Sequence, residues 1–347
     1  MPAPSPPSNR WTLSWTSTSA PPTPLPPSIT RSFITTPSGP LELLSAAPDP
    51  SRPRILQSLI LESPILLVHG GFGCAAMFIP WLSLLAAHGY NVHALSIRGH
   101  GQSWTPGFLR MAFLTTAYAL ATDIRAGIAH LETLFNGRGE VVLAGHCAGG
   151  GLVQIVCDQE LARVQGLALL AGTPSFGADH VYRAWWTLDP LFLPRMFLRD
   201  WLHPRSPLSS SELVKAAFFC PSFPIDWVKP FEKLMPEYES LRWPVSTMWR
   251  GYVDPRRVLL GCGMRLLVLA AELDQLMKME LMVKTTAEYA SALKQIGKDG
   301  YDIKGGEVEF ASVEGSGHHL MNDLQFEDAL RIFEDWLEKL NDDNNDP

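Results

Sequence analysis

The chain has 347 residues, of which 46% are hydrophobic and 18% are charged, as in soluble globular proteins. Its 28 basic and 35 acidic residues give a net charge of −7 without any basic block, which argues against nucleic acid as a partner. No apolar run reaches the roughly 18 residues that a membrane span needs, so none is predicted.

The beginning of the chain is rich in proline. The first 53 residues hold 14 of the 29 prolines, and proline removes a backbone donor and disfavours helix. Residues 1–32 are therefore predicted to form an extended tail. This segment lacks the basic and apolar pattern of a secretion signal. The polar residues 341–347 predict a second short tail.

The cysteines argue against both disulfides and a zinc site. Their number is odd, and they lack Cys-x-x-Cys spacing and nearby histidine pairs. They are Cys74, Cys147, Cys157, Cys220 and Cys262. We therefore expect no metal and no organic cofactor, and a reducing, cytoplasmic location.

Between the two tails, apolar runs of strand length alternate with helical patterns. The predicted strands are residues 65–69, 91–97, 141–144, 166–170, 266–271 and 308–313. The predicted helices are residues 115–135, 149–161, 283–296 and 326–340. Runs that are apolar throughout are typical of strands buried on both faces. The alternation predicts an α/β fold with a doubly wound, mostly parallel sheet, formed by residues 33–177 and 261–340.

Residues 178–260 interrupt this alternation. They contain no clear strand pattern, and they hold 15 of the 34 aromatic residues. Bulky rings at the carboxyl ends of parallel strands are typical of a cover over an apolar ligand cavity. The segment is therefore predicted to be a helical lid that sets substrate choice, with Trp185 and Trp186 as candidate pocket residues. The alternative is a packed helical subdomain without a ligand role.

A glycine-rich turn follows the strand at 141–144. The sequence Gly145-His146-Cys147-Ala148-Gly149-Gly150 leads from this strand into a helix, which is the nucleophile-elbow pattern Gly-x-Ser-x-Gly with cysteine in place of serine. Small residues at 145 and 149 allow the tight turn. A thiol at a helix N-terminus is favoured in its thiolate form. Cys147 is the predicted nucleophile.

With this motif the chain resembles the α/β-hydrolase family. The resemblance covers about residues 33–340, with 178–260 in the place of that family's variable cap. The family order of nucleophile, acid and histidine implies Asp274 as the acid, after the strand at 266–271. Glu272 is the alternative. The turn Glu314-Gly315-Ser316-Gly317-His318 implies His318 as the base, in preference to His319.

The resemblance also implies an oxyanion hole. The turn His69-Gly70-Gly71-Phe72-Gly73 matches the family's His-Gly turn, so the N–H groups of Gly71 and Ala148 are the expected donors. Phe72 is the next candidate donor and a candidate pocket residue. His69 and the turn Arg98-Gly99-His100-Gly101 are interpreted as structural.

These residues favour an acyl-transfer hydrolase that acts on an ester, lactone or thioester of an apolar small molecule through Cys147, His318 and Asp274. The aromatic lid and proline-rich start resemble capped α/β-hydrolases of fungal natural-product clusters, which act on polyketide-type intermediates. One alternative is a non-hydrolytic cyclase or carbon–carbon bond enzyme that uses His318 as base. Another is a pocketed receptor without activity, although a receptor has no need of all three residues.

Overall fold

The structure is a computed structural model that describes residues 22–48, 63–135, 141–203 and 205–342. Most of the predicted proline-rich tail, residues 1–21, and residues 343–347 of the predicted polar tail lie outside this range. The last helix continues through Asp342, so residues 341–342 of the predicted tail are helical.

A single eight-stranded sheet forms the centre of the molecule. Its strands are β1 Thr30–Ile34, β2 Leu41–Ala46, β3 Ile65–Val68, β4 Val92–Leu95, β5 Val142–His146, β6 Gly166–Leu170, β7 Arg265–Ala271 and β8 Glu307–Val313. The strand order is β1-β2-β4-β3-β5-β6-β7-β8. Strands β3 to β8 pair in parallel, and β1 and β2 pair antiparallel. The predicted doubly wound, mostly parallel α/β sheet is confirmed.

The two antiparallel strands were not expected from the sequence. β1 begins at Thr30, inside the range predicted as tail, and it is a half-exposed edge strand without a continuous apolar run. β2 carries a buried acid, Glu42, which accepts a hydrogen bond from Arg31 Nε on β1 at 2.7 Å and from Ser96 Oγ at 2.8 Å. These partners allow a charged side chain to be buried in the sheet. Because Glu42 is charged, β2 lacks the wholly apolar pattern by which the other strands were recognised.

Helices cover both faces of the sheet and account for most of the connections. They are α1 Ile79–His88, α2 Phe108–Leu114, α3 Ala117–Leu134, α4 Ala148–Asp158, α5 Asp179–Leu188, α6 Phe192–Pro194, α7 Ser211–Phe218, α8 Ile225–Glu232, α9 Arg242–Ser246, α10 Pro255–Gly261, α11 Met279–Lys298 and α12 Phe326–Asp342. One π-helical turn, Arg195–Arg199, and two 3₁₀ turns, Ala75–Phe78 and Ser206–Leu208, complete the set.

The segment between β6 and β7 is helical. Helices α5 to α9 and most of α10 lie in residues 178–260, and the described part of this segment contains no strand. We call residues 178–260 the helical insertion. It follows the carboxyl end of β6, the edge of the sheet where parallel α/β folds bind their ligands. The turn after β5, which carries Cys147, lies at the same edge.

Candidate active site

Cys147 occupies the turn between β5 and α4. Its backbone has φ 53° and ψ −126°, a left-handed conformation that is strained for any residue other than glycine. Three hydrogen bonds to other backbone groups help maintain it: the Cys147 N–H donates to Leu170 O at 3.1 Å, and Cys147 O accepts from the N–H groups of Gly150 and Thr173, both at 3.0 Å. Cys147 is partly exposed, whereas the other four cysteines are buried.

Close backbone contacts explain the glycines around Cys147. A Cβ atom on Gly145 would lie 2.7 Å from Gly149 O, and one on Gly149 would lie 2.2 Å from His69 O. A Cβ on Gly70 would lie 2.5 Å from the Cβ of Cys147 itself. The turn after β3 is therefore packed directly against the cysteine, as the expected oxyanion-hole arrangement requires.

Asp274 and His318 form a buried pair. His318 Nδ1 donates to Asp274 Oδ2 at 2.6 Å, and both side chains are inaccessible to solvent. The other carboxylate oxygen accepts from the N–H groups of Leu276 at 2.7 Å and Met277 at 2.8 Å. The orientation of the carboxylate is therefore fixed, and Nδ1 of His318 carries a hydrogen.

The second nitrogen of His318, Nε2, has no hydrogen-bond partner among the described residues. Burial lowers the pKa of His318, but the Asp274 carboxylate and the Cys147 sulfur outweigh burial and raise this pKa to about 10. The ring of Phe218, at the end of α7, stacks against His318 with a centroid distance of 5.8 Å. His318 is thus hydrogen-bonded to Asp274 through Nδ1, and the Cys147 sulfur is close enough to help raise its pKa.

The two alternative residues have other contacts. Glu272 accepts a hydrogen bond from the Gly315 N–H at 2.7 Å, on the outside of the turn that precedes His318. His319 is buried against the rings of His146 and Phe231, and burial lowers its pKa well below the ordinary value. In this structure Asp274 and His318, and not Glu272 and His319, interact with each other.

A half-open cavity of about 110 Å³ lies beside Cys147. Residues of the core and of the helical insertion line it together: Gly71, Phe72, Cys147, Ala148, Thr173, Ala178, Val181, Tyr182, Trp185, Phe218, Glu239, Trp243, Pro244, Thr247, Leu276 and Met277. Of the two tryptophans proposed from the sequence, Trp185 is in this lining. Trp186 is 52% exposed and borders a separate shallow depression beside Tyr182, so the structure does not bring it to Cys147.

The three candidate oxyanion donors differ. Gly71 and Ala148 line the cavity, and their N–H groups make no hydrogen bond to a described residue. The Phe72 N–H, in contrast, donates to Glu239 Oε2 at 3.0 Å. Gly71 and Ala148 therefore keep their donors available for a ligand, whereas the donor of Phe72 is already used.

A carboxylate connects the His318 loop to the helical insertion. Asp323 Oδ2 accepts from the N–H of Gly317, next to His318, and from the N–H of Cys220, both at 2.7 Å. The N–H of His319 donates to Phe218 O at 2.8 Å. The residues after α7 and the loop that carries His318 are thus joined through backbone groups.

Comparison with known proteins identifies the family. A family model described as the alpha/beta hydrolase fold matches residues 63–300, which is more than half of the chain. The chain belongs to the α/β-hydrolase family.

Solved structures similar to this α/β-hydrolase share its fold at low sequence identity. A thermophilic esterase from Thermogutta terrifontis has a TM-score of 0.60 and 18% identity, with coverage of 90% of this chain and 99% of that chain. An enol-lactonase from Burkholderia xenovorans LB400 has a TM-score of 0.61 and 12% identity, covering 88% and 99%. A thioesterase domain from the curacin biosynthetic pathway has a TM-score of 0.55 and 16% identity, covering 89% and 99%. No curated protein sequence matches the chain.

Several side chains of this α/β-hydrolase site were missed from the sequence. Glu239 is 167 positions from Phe72 and belongs to no motif. Its other partner, His100, was interpreted only as part of a structural turn. Tyr182 was detectable, since it lies one helical turn before Trp185 on α5; burial and the nearby Cys147 raise its pKa, so it stays a neutral phenol.

Neither a membrane-spanning helix nor a metal-binding cluster occurs in the described part of the chain. Within residues 22–48, 63–135, 141–203 and 205–342, no helix has the length and apolar character needed to cross a bilayer. In the same ranges, no three histidine, cysteine or acidic side chains are grouped as a metal site would require.

Proposed function

We propose that the chain is an acyl-transfer hydrolase with Cys147 as nucleophile, His318 as general base and acid, and Asp274 as the residue that orients His318. The observation that carries this proposal is the position of His318: its Nδ1 is hydrogen-bonded to Asp274, its Nε2 is left without a partner among the described residues, and the sulfur of the partly exposed Cys147, beside a half-open cavity, raises its pKa. This is the geometric relation between nucleophile, base and orienting acid that covalent acyl transfer requires.

The first half of the reaction forms a thioester. The thiol proton of Cys147 passes to His318 Nε2, where a pKa of about 10 holds it at neutral pH, and the Cys147 thiolate then attacks the carbonyl carbon of the substrate. The carbonyl electron pair moves to oxygen, where the Gly71 and Ala148 N–H groups stabilise the negative charge. The tetrahedral adduct then releases its alkoxide or thiolate, which takes the proton from His318. A histidine whose pKa is raised to about 10 retains this proton until the leaving group requires it.

The second half returns the enzyme to its starting state. His318, now neutral, removes a proton from water, and the resulting hydroxide attacks the acyl carbon. The adduct expels the Cys147 thiolate, and a carboxylic acid is released. The same steps with an alcohol, amine or carbon nucleophile transfer the acyl group. A thioester intermediate favours this second outcome more than an oxyester does, so acyl transfer or cyclisation is the second candidate function.

The cavity supports an apolar acyl group. Most of the lining is aliphatic or aromatic, and among the described residues Glu239 is the only carboxylate in it. Such a lining disfavours acyl chains that carry a negative charge. An esterase, an enol-lactonase and a thioesterase domain share this fold, and an apolar polyketide-type chain held as a thioester fits the aromatic wall. All five cysteines are free, which supports a reducing, cytoplasmic location.

The test is acylation of Cys147. Purified protein is incubated with a series of apolar p-nitrophenyl esters and with matching N-acetylcysteamine thioesters, and intact mass is followed with time. We expect the mass to increase by one acyl group. Cys147→Ala should abolish this increase, whereas Cys262→Ala, which changes a buried cysteine near the end of α10, should retain it. Acylation of Cys147→Ala would refute the assignment of the nucleophile.

A second arm separates hydrolysis from transfer. Cys147→Ser is compared with the parent on one thioester, with and without an added amine. Hydrolysis through either atom predicts activity within about 10² to 10⁴ of the parent. A disproportionate loss of the amide product relative to the acid would support acyl transfer as the native reaction, and equal losses would support hydrolysis.

A further inference from the structure

The helical insertion contributes one carboxylate to the cavity, and this carboxylate is buried and fully engaged. Glu239 is 5% exposed. Its Oε2 accepts from the Phe72 N–H at 3.0 Å and contacts His100 Nε2 at 2.7 Å, and its Oε1 accepts from the Ser240 N–H at 2.8 Å. A residue of the insertion is therefore hydrogen-bonded to two core turns, at residues 69–73 and 98–101, of which the first borders the cavity.

The hydrogen bonds of His100 define where its protons are. His100 Nδ1 lies 2.9 Å from Arg98 O, which only accepts, so Nδ1 carries a hydrogen. His100 Nε2 faces a Glu239 oxygen that already accepts from Phe72, so a second proton lies between Nε2 and this oxygen. The pair is then an imidazolium and a carboxylate whose charges cancel. Burial lowers the pKa of His100, but Glu239 and Arg98 O outweigh burial and raise it.

The other groups that face His100 do not supply this positive charge. The ring of His69 lies tilted against that of His100, with 4.7 Å between the centroids, but burial lowers the pKa of His69, and its Nε2 accepts from the Ile97 N–H. Arg98 is paired with Asp123 through contacts of 2.6 and 2.8 Å. Neutralisation of Glu239 therefore depends on His100.

The carboxylate lies beside the Gly71 donor. Glu239 Oε2 is 4.0 Å from the point where a Cβ on Gly71 would be. Phe72, the next residue, has φ 60° and is held in this strained conformation with its N–H on Glu239. A negative charge at this position would repel an oxyanion that forms on the Gly71 and Ala148 N–H groups, since electrostatic effects are strong in a buried site. A neutralised pair would instead hold the turn without this repulsion.

We propose that Glu239 and His100 act as positioning residues for the oxyanion hole: Glu239 holds the Gly71-Phe72 turn, and the positive charge of His100 prevents Glu239 from opposing the oxyanion. This inference rests on the proposed acyl-transfer function. It assigns a role in catalysis to a residue of the helical insertion. The effect of the Glu239 charge then depends on the charge of His100, and the reverse.

The test uses His100→Gln, Glu239→Gln and the double variant. His100→Gln leaves Glu239 without its neutralising charge, and we expect kcat on an apolar p-nitrophenyl ester to fall about 10- to 100-fold with KM little changed. Replacing Glu239 as well removes the uncompensated charge, so the double variant should recover at least about tenfold over His100→Gln. A double variant no faster than His100→Gln would overturn the proposal, since a purely structural pair gives no such recovery.

An apolar aldehyde provides a second readout. Its reversible adduct with Cys147 places an oxygen at the oxyanion position, whereas the matching alcohol does not. His100→Gln should weaken aldehyde inhibition in parallel with kcat and leave alcohol inhibition unchanged. If His100→Gln does not fold, the aldehyde and alcohol are compared on Glu239→Gln instead. This variant leaves no unpaired buried charge and should therefore fold. A loss of about threefold or more in aldehyde affinity relative to the alcohol supports the proposal, and no relative loss overturns it.

Two controls distinguish a role of Glu239 in the oxyanion hole from a general effect on stability and from failure of the proposed function. Arg31→Gln unpairs another buried carboxylate, Glu42, that does not line the cavity, and it should reduce stability while kcat stays within about threefold. A fall in kcat for Arg31→Gln equal to that of His100→Gln would overturn the specific role of Glu239. Acylation of the parent at Cys147 is measured in the same series. Without it the proposed function fails, whereas normal acylation without recovery in the double variant removes only the present inference.

Discussion

The cavity beside Cys147 has two walls of different construction. One wall is the turn between β5 and α4, where glycines allow backbone atoms to approach to distances that no side chain tolerates. The other wall is the helical insertion, where Tyr182, Trp185 and Trp243 contribute side-chain surface. Changes in the first wall should alter the geometry of the reacting groups, whereas changes in the second should alter which acyl groups fit.

The largest effect should come from the acid behind the first wall. Asp274→Asn keeps the shape of the side chain but removes the charge that orients and stabilises protonated His318. We expect kcat/KM on an apolar ester to fall about 10³- to 10⁴-fold. Glu272→Gln is the matched control, because Glu272 contacts the Gly315 N–H and not His318, and it should retain activity within about threefold. Similar losses in both variants would mean that the acid has been misassigned.

The same pair predicts how stability depends on pH. In the folded chain the pKa of His318 is raised to about 10, against about 6.5 when unfolded, so the folded state binds the extra proton between these values. The stabilisation from this proton is complete below pH 6.5 and is lost as the pH rises toward 10. It amounts to no more than about 5 kcal/mol.

Denaturant unfolding of the parent and of Asp274→Asn, measured from pH 6.5 to 10, isolates this contribution. The buried thiols of Cys74 and Cys262, whose pKa burial raises to about 12, affect both proteins alike. The free energy of unfolding of the parent should decrease more steeply with pH. Parallel curves for the two proteins would contradict the coupling of His318 to Asp274.

A methyl group in the first wall should destabilise the fold. Because its Cβ would lie 2.2 Å from His69 O, Gly149→Ala is expected to lower the free energy of unfolding by about 3 kcal/mol or more. Gly107→Ala adds the same atom where nothing lies within 4 Å, and should change stability by about 0.5 kcal/mol or less. Equal stability of the two variants would show that the turn relaxes easily.

The second wall should respond with smaller, substrate-dependent effects. Trp185 lines the cavity, and its neighbour Trp186 is half exposed outside it. Trp185→Ala should raise KM for a long acyl ester about tenfold and for an acetyl ester much less, because it removes apolar contact area. Trp186→Ala should leave both values nearly unchanged. A larger effect of Trp186→Ala would show that substrates bind across the outer depression.

The first wall was largely predictable from the sequence, and the second was not. Glycines at 145 and 149 flank Cys147 within five residues, and buried parallel strands have continuous apolar runs. Both features are therefore visible in short stretches of the sequence. β1 and β2 escaped prediction because one is a half-exposed edge strand and the other contains the buried Glu42.

Contacts between distant segments account for the rest. Glu239 acquires its position only when the insertion folds onto turns about 140 and 167 residues earlier, and no local pattern encodes this. The adjacent tryptophans show the same limit. Aromatic density indicated that a lid segment was present, but only the helix orientation determines that Trp185 is turned toward Cys147 and Trp186 is not.

The bonds of Asp323 have a consequence for the order of events in each turnover. The half-open cavity beside Cys147 has a volume of about 110 Å³, and a large acyl group would need the insertion to move outward and widen it. The segment Phe218–Cys220 cannot move outward without breaking its hydrogen bonds to Asp323 and His319 or displacing the loop that carries His318. Outward movement of this segment is therefore linked to the position of the loop that carries His318, so we expect substrate entry to precede the final alignment of His318 with Asp274 in each turnover.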